Sequence, residues 1–220
     1  MNFTLKDVLL SAKKNPVISI EAHEPLGRAL HLFHEHSISS LAVYGAPGSY
    51  YSSADITLSI HNGKQYIGLL SLADCISFLL TEGKHVEISV LQAIGATDES
   101  MSLWILKTSD SLFSSLEPLG KGLHSFLVAT PNEREPLYLL SQQDILLFLH
   151  EQLLDDNFYD RFPMDLKSFC KDKSQLVVAQ LDDSVQDVLK TMTTLAFRSV
   201  GVVDKFGNLV DYFSFSGIYL

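Results

Sequence analysis

Two four-residue stretches carry the same chemical groups in the same order: Ser71-Leu72-Ala73-Asp74 and Ser141-Gln142-Gln143-Asp144. In each, a hydroxyl precedes a carboxylate by three residues. Such a pair suits a helix start, with Ser as N-cap and Asp in the first turn, where the helix dipole favours negative charge. Any helix start can use this arrangement, so taken alone it does not identify a ligand. His23, His31, His34 and His36 raise the question of a metal site, since residues 31 and 34 share a helix face. No third ligand stands at a fixed spacing, and the group reads as a solvated helix face. Nucleophilic catalysis has no support either. The chain contains no G-x-S-x-G elbow, no GxxxxGK[ST] loop and no HExxH helix, so an enzyme is not expected.

The 220 residues are 46% hydrophobic and 19% charged, which places the chain among compact globular proteins rather than disordered ones. Sixteen Lys plus Arg against 26 Asp plus Glu give a net charge of −10, the wrong sign for gathering affinity from a nucleic-acid backbone. No apolar run reaches the ~18 residues of a membrane span, and the N-terminus lacks a signal-peptide pattern. The expectation is a soluble intracellular protein, cytoplasmic or nuclear, with Cys75 and Cys170 as separate buried thiols.

The elements that must position the two Ser-x-x-Asp stretches recur. Three segments read strand, helix, strand, loop, strand ending in Ser, helix start. In the first, the pattern predicts a strand at Val17–Ile20 and a helix opened by Pro25. Leu26, Ala29, Leu30 and Phe33 share that helix's buried face, and further strands follow at Ser39–Tyr44 and Tyr66–Leu70. The second predicts strands at Leu103–Leu106, Ser125–Val128 and Leu137–Leu140, with a short helix from Ser111 to Glu117 ended by Pro118. The third starts with a strand at Leu176–Val178 and has a helix buried through Val185, Val188, Leu189 and Met192. Strands Ser199–Val203 and Leu209–Phe213 are joined there by a turn at residues 204–208. Ser71 and Ser141 are about 70 residues apart and Ser141 and Ser214 about 73, the signature of repeated supersecondary units. The loop from Gly45 to Lys64 reads as an exposed insertion.

This order resembles a tandem of CBS domains, and within that family the γ subunit of AMP-activated protein kinase and its plant and fungal relatives. The stretches that carry the latter likeness are Met101–Trp104 and Leu119–Val128. The resemblance implies an α+β fold of tandem β-α-β-β-α modules, the first two paired as a Bateman-type disc and the third incomplete. Module one with its N-terminal lead-in is expected at residues 1–85, module two at 86–154, a linker at 155–173 and module three at 174–220. The chain ends inside what the resemblance makes a closing helix. The expectation is therefore a fragment of a four-module protein, or a shortened form whose third module completes its core against a neighbour or a second chain.

By resemblance, Asp74 and Asp144 are ribose-binding residues with Ser71 and Ser141 as their hydroxyl partners. The chemistry is sound, because an ionised carboxylate has acceptor capacity for two adjacent hydroxyls. Residues before the second strand reach phosphate in the γ subunits. Here that column reads Ser39, His124 and Arg198, and Arg198 offers a bidentate fork. Adenine is expected against apolar strand residues near Ile20 and Thr108. The third motif, Ser214-Phe215-Ser216-Gly217, has Gly in place of Asp, so its site is expected to be empty or altered. The implied function is non-catalytic regulation by AMP, ADP or ATP, with AMP or ADP favoured. The implied partners are a protein kinase catalytic subunit and its scaffold, and homodimerisation is a further expectation. The alternative is a scaffold that keeps the fold, has lost ligand binding and acts only through protein contacts.

Overall fold

A computed structural model describes residues 3–48, 59–82, 85–97, 100, 102–132, 134–153 and 176–217, the side chains of 82, 153 and 216 excepted. The expected linker at 155–173, Cys170 and most of the expected insertion lie outside them. The chain forms two compact units, Met1–Phe148 and Leu149–Tyr219, each described by itself below.

In the first unit, helix α1 (Leu5–Ser11) precedes a four-stranded sheet. Its strands β1 (Ser19–Glu21), β2 (Ser40–Gly45), β3 (Ile60–His61) and β4 (Lys64–Ser71) take the order β1-β2-β4-β3. Helix α2 (Leu26–His36) lies between β1 and β2, and α3 (Leu72–Glu82) follows β4. Pro25, extended at φ −63° and ψ 145°, is the N-cap of α2. Leu26, Ala29, Leu32 and Phe33 are its buried residues, the spacing of one helix face. Short helix α4 (Val90–Ala93) leads into a second sheet, ordered β5 (Ile105–Lys107), β6 (Ser125–Ala129), β7 (Tyr138–Ser141). Helix α5 (Leu116–Gly120), preceded by a 3₁₀ turn at Leu112–Ser115, stands between β5 and β6. Pro118 does not end that helix. It lies inside the first turn, where a missing N–H leaves no bond unmade. Helix α6 (Gln142–Leu153) follows β7.

The second unit repeats the plan with β8 (Val178–Gln180), α7 (Val185–Thr194), β9 (Ser199–Val203) and β10 (Leu209–Ser214), in sheet order β10-β9-β8. A 3₁₀ turn at Phe215–Gly217 stands where α3 and α6 begin in the other two modules.

Ladder registers make the three modules superposable residue by residue. Ser40 pairs with Ser71, Ser125 with Ser141, and Ser199 with Ser214. The parallel pairs Ile20 with Val43, Leu106 with Val128 and Ala179 with Val202 are likewise equivalent. Each first strand sits two residues or so later than hydrophobicity predicts. Val17 and Leu103 belong to the apolar interior rather than to the ladders.

The two sheets of the first unit share one core. Ala42, Tyr66 and Leu69 of the first pack in one cluster with Leu103, Ile105, Leu127, Ala129 and Leu137 of the second. Burial of this cluster pushes the Tyr66 hydroxyl above its ordinary pKa. The expected sheet-to-sheet pairing of modules one and two is therefore present.

The lead-in segments are exchanged between the modules. Leu5 and Lys6 N–H donate to the Asp110 and Thr108 carbonyls of module two, and Leu112 N–H donates back to the Phe3 carbonyl. Val90 and Leu91 N–H make the matching bonds to Glu24 and Ala22 of module one, and Leu26 N–H donates to Ile88. Phe3 also meets the Phe148 ring edge-on, with centroids 5.1 Å apart. The N-terminal lead-in thus bonds to and packs on module two.

Candidate functional site

Both Ser-x-x-Asp stretches form reciprocal caps at a helix start. Ser71 N–H and Oγ–H donate to Asp74 Oδ2 at 2.8 and 2.6 Å, and Asp74 N–H returns a bond to Ser71 Oγ at 3.2 Å. Ser141 and Asp144 repeat this at 2.8, 2.7 and 3.3 Å. In module three Gly217 N–H still donates to Ser214 Oγ at 3.2 Å, so the cap survives without its carboxylate. The pattern also occurs at Thr4–Asp7 and, in its side-chain bonds, at Ser184–Asp187. Capping therefore accounts for Ser71 and Ser141, whose hydroxyls are committed to their own Asp.

The two Asp side chains differ in what holds their remaining acceptor capacity. Asp74 is fully buried. Its Oδ1 accepts from Thr97 N–H at 3.0 Å, Thr97 Oγ1–H at 2.6 Å and Ser100 Oγ–H at 2.7 Å. Five donors from its own chain thus surround this carboxylate. The close approach of residue 100 depends on Gly68, because a Cβ there would lie 3.2 Å from the Ser100 carbonyl oxygen and 3.3 Å from Ile94 Cδ1. In module two the residue at the same register position is Tyr138.

Asp144 keeps partial access to solvent, its side chain 12% exposed, and among the described residues its one partner outside the cap is Lys14 Nζ at 2.8 Å from Oδ2. Lys14 and Ser100 are equivalent: each stands five residues before the first strand of its own module and reaches the Asp of the other. Beside Lys14 lies a cavity of about 610 Å³ bounded by α1 and module two, with Lys6, Lys14, Thr108, Thr130, Glu135 and Tyr138 among its walls. Thr108 sits at its floor, 8% exposed, its N–H bound to the Ala129 carbonyl at 2.9 Å. Leu9 and Leu10 contribute an apolar side. The cavity offers two ammonium groups for an anion and an apolar wall for a ring, and one of those ammonium groups, Lys14, is bound to the Asp144 carboxylate.

The other expected residues are not brought to this cavity. Ile20 is 3% exposed inside β1 of module one, and it is Thr108, not Ile20, that lines the opening. His124 is exposed, and its carbonyl accepts the Gln142 N–H at 2.9 Å, beside the start of α6. Leu72 to Ser39 and Phe215 to Arg198 make the same backbone bond, which confirms the aligned column. Neither His124 nor Arg198 lines the cavity, and Arg198 belongs to the second unit. Lys6, Lys14, Thr97 and Ser100 were not singled out by sequence, although Lys13-Lys14 is a basic pair in an acidic chain. Among the described residues no group of three His, Cys, Asp or Glu is placed to hold a metal ion. His31 is exposed, with Nε2 3.5 Å from Glu35 Oε2. No helix among them is long and apolar enough to cross a membrane.

No protein-family model matches the chain, and no curated protein matches it by sequence. Solved structures do match. A Methanocaldococcus jannaschii protein, MJ1225, described as a proposed archaeal homologue of γ-AMPK, superposes with a TM-score of 0.64 at 15% identity, over 92% of this chain and 67% of its own. A CBS-domain containing protein from Agrobacterium tumefaciens gives 0.48 at 16% identity, over 66% of this chain and 92% of its own. The CBS domain of a bacterial CNNM/CorC family Mg2+ transporter, solved in complex with ATP, gives 0.46 at 14%, over 66% and 86%. The matching topology and the threefold register together show that this chain has the fold of tandem CBS-domain proteins.

Proposed function

We propose that the chain is a non-catalytic regulatory module that binds an adenine nucleotide in the cavity between α1 and module two. The observation that carries this reading is the difference between the two equivalent carboxylates: Asp74 is saturated by its own chain, whereas Asp144, partly exposed, is held outside its cap by Lys14, which lines a cavity. In this reading the ribose hydroxyls take the place of Lys14 on Asp144, and the freed ammonium turns with Lys6 toward phosphate. Tyr138 and the Leu9–Leu10 edge of α1 supply the adenine wall, with Thr108 as a hydroxyl partner. Two lysines beside Glu135 and Asp144 suit one or two phosphate groups better than three, which favours AMP or ADP over ATP.

The ligand would act by population shift. It bridges α1 and module two, so it favours whichever packing of these elements keeps the cavity formed, with a coupling of the usual ~1–3 kcal/mol. The output is a partner protein, by resemblance a protein kinase catalytic subunit and its scaffold. Addition of AMP, ADP or ATP to the purified chain should raise its melting temperature in a saturable way. Ligand at a hundred times its dissociation constant stabilises a fold by about 2.7 kcal/mol. Asp144→Ala should remove the shift.

A second reading is favoured by one fact: Lys14 already neutralises Asp144, so both motif carboxylates are satisfied without ligand. On that reading the fold is a scaffold that acts by protein contact alone, and no nucleotide shifts the melting curve.

A further inference from the structure

One register position carries a different residue in each module. Three residues before the Ser of the motif, and paired with Val43, Val128 and Val202, stand Gly68, Tyr138 and Asp211. In the first unit a lead-in passes over this position, so the size of the residue there governs how closely the lead-in can settle on the strand. The two lead-ins align through their backbone bonds. Val90 and Leu91 N–H donate to the Glu24 and Ala22 carbonyls as Leu5 and Lys6 N–H donate to those of Asp110 and Thr108, which makes Leu9 the counterpart of Ile94.

Over Gly68 the lead-in lies close. A Cβ there would meet the Ser100 carbonyl oxygen at 3.2 Å and Ile94 Cδ1 at 3.3 Å. With the backbone so near, a serine is long enough: Ser100, 2% exposed, reaches Asp74 Oδ1 at 2.7 Å through a single carbon. Over Tyr138 the lead-in stands off. Pro16 bridges to Tyr138, and Leu9, Lys14 and Tyr138 line the cavity of about 610 Å³. Here the motif carboxylate is reached by a lysine, whose four-carbon stem spans what one carbon spans in module one.

We propose that Tyr138 is the residue that selects the open site. Its ring fills the space into which the other lead-in closes over Gly68, holds Leu9 and Lys14 away from β7, and so leaves module two with a cavity for a ligand while module one is shut. Tyrosine suits this task because a large ring turning on two torsions holds its shape at low entropic cost. The identity of the ligand rests on the nucleotide reading above; the propping of the lead-in does not.

Crystal structures and AMP calorimetry of wild type, Tyr138→Gly and Tyr138→Phe test the proposal. Loss of the ring in Tyr138→Gly should let Leu9 and Lys14 close on β7 and should weaken AMP about tenfold or more. Tyr138→Phe, which returns the ring, should return both the open cavity and the affinity. The reverse change, Gly68→Tyr, should lift Ser100 from Asp74. Its readout is the Thr97 N–H, which donates to Asp74 Oδ1 and should exchange with solvent about tenfold faster or more. Gly68→Ala serves if the tyrosine variant fails to fold. A lead-in that stays in place in Tyr138→Gly overturns the proposal, with or without a loss of AMP affinity, because Tyr138 would then be only a wall for the ring. Unchanged Thr97 exchange in a folded Gly68 variant also overturns it. A wild type that binds no AMP, together with a lead-in that closes in Tyr138→Gly, upholds the propping and overturns the nucleotide reading alone.

Discussion

Lys14 and Asp144 together decide what the cavity can hold. Lys14→Met removes both the competitor for the Asp144 carboxylate and one partner for phosphate. It should therefore weaken AMP about tenfold, the loss of one charge-assisted bond, while adenosine, which needs no ammonium, binds as well or better. Comparison of the two ligands by calorimetry on wild type and variant checks this. Equal weakening of both would show that Lys14 is merely structural. Asp74 belongs to a different class of residue. Its replacement by Ala strands donors from Ser71, Thr97 and Ser100 in the interior, at about 1–3 kcal/mol for a buried donor left unpaired, and should lower the melting temperature. Nucleotide affinity in the folded variant should not change. Cys75, beside it, is buried and its thiol is pushed far up, by desolvation first and by the Asp74 charge second. Native protein should leave Cys75 unmodified by an alkylating reagent that labels it after unfolding. The sequence showed the two motif aspartates as equals. Their difference was hidden because it comes from Thr97, Ser100 and Lys14, which act on the Asp of the other module across distances of 23 to 130 positions along the chain.

At the scale of elements, the exchanged lead-ins are the feature that makes a site. Helix α1 is one wall of the cavity, and Leu5 and Val8 anchor it with no exposed surface. Leu5→Ala should cost about 2–5 kcal/mol and weaken nucleotide binding with it, read from urea melts and titration of the same sample. The cap of α1 adds a pH signature. Asp7 is held below the ordinary carboxylate range, first by the Thr4 N–H and then by its hydroxyl. A lowered folded pKa means that this contribution is fully present above the unfolded value and is lost as pH falls through the folded one. The stability difference between wild type and Asp7→Asn should therefore be constant from neutral pH down to the ordinary carboxylate range and vanish only in stronger acid. Element order and the threefold repeat were legible, because apolar periodicity and the recurring terminal Ser are local signals. Strand positions were less so. Val17 and Leu103 read as strand, since hydrophobicity reports burial, and both pack into the shared core just ahead of the ladders. Pro118 read as a stop, although a proline in a first turn continues a helix at no cost in hydrogen bonds.

For the molecule as a whole, three copies of one supersecondary unit have diverged in what covers them and in what they hold. Modules one and two bury their sheet faces on one another, and one of their two equivalent carboxylate sites is closed by the chain itself. Module three keeps the cap at Ser214 and lacks the carboxylate at Gly217. On the proposed reading, nucleotide sensing falls to the first unit, at one carboxylate site and not at its equivalent. The measurement that bears most directly on this division is calorimetric titration of AMP into wild type, Asp144→Ala and Asp74→Ala. The account predicts saturable binding by wild type with one site in the first unit, loss of binding in Asp144→Ala, and retention in a folded Asp74→Ala. Binding that persists in Asp144→Ala and disappears in Asp74→Ala would contradict it, as would the absence of binding by AMP, ADP and ATP alike in a well-folded sample.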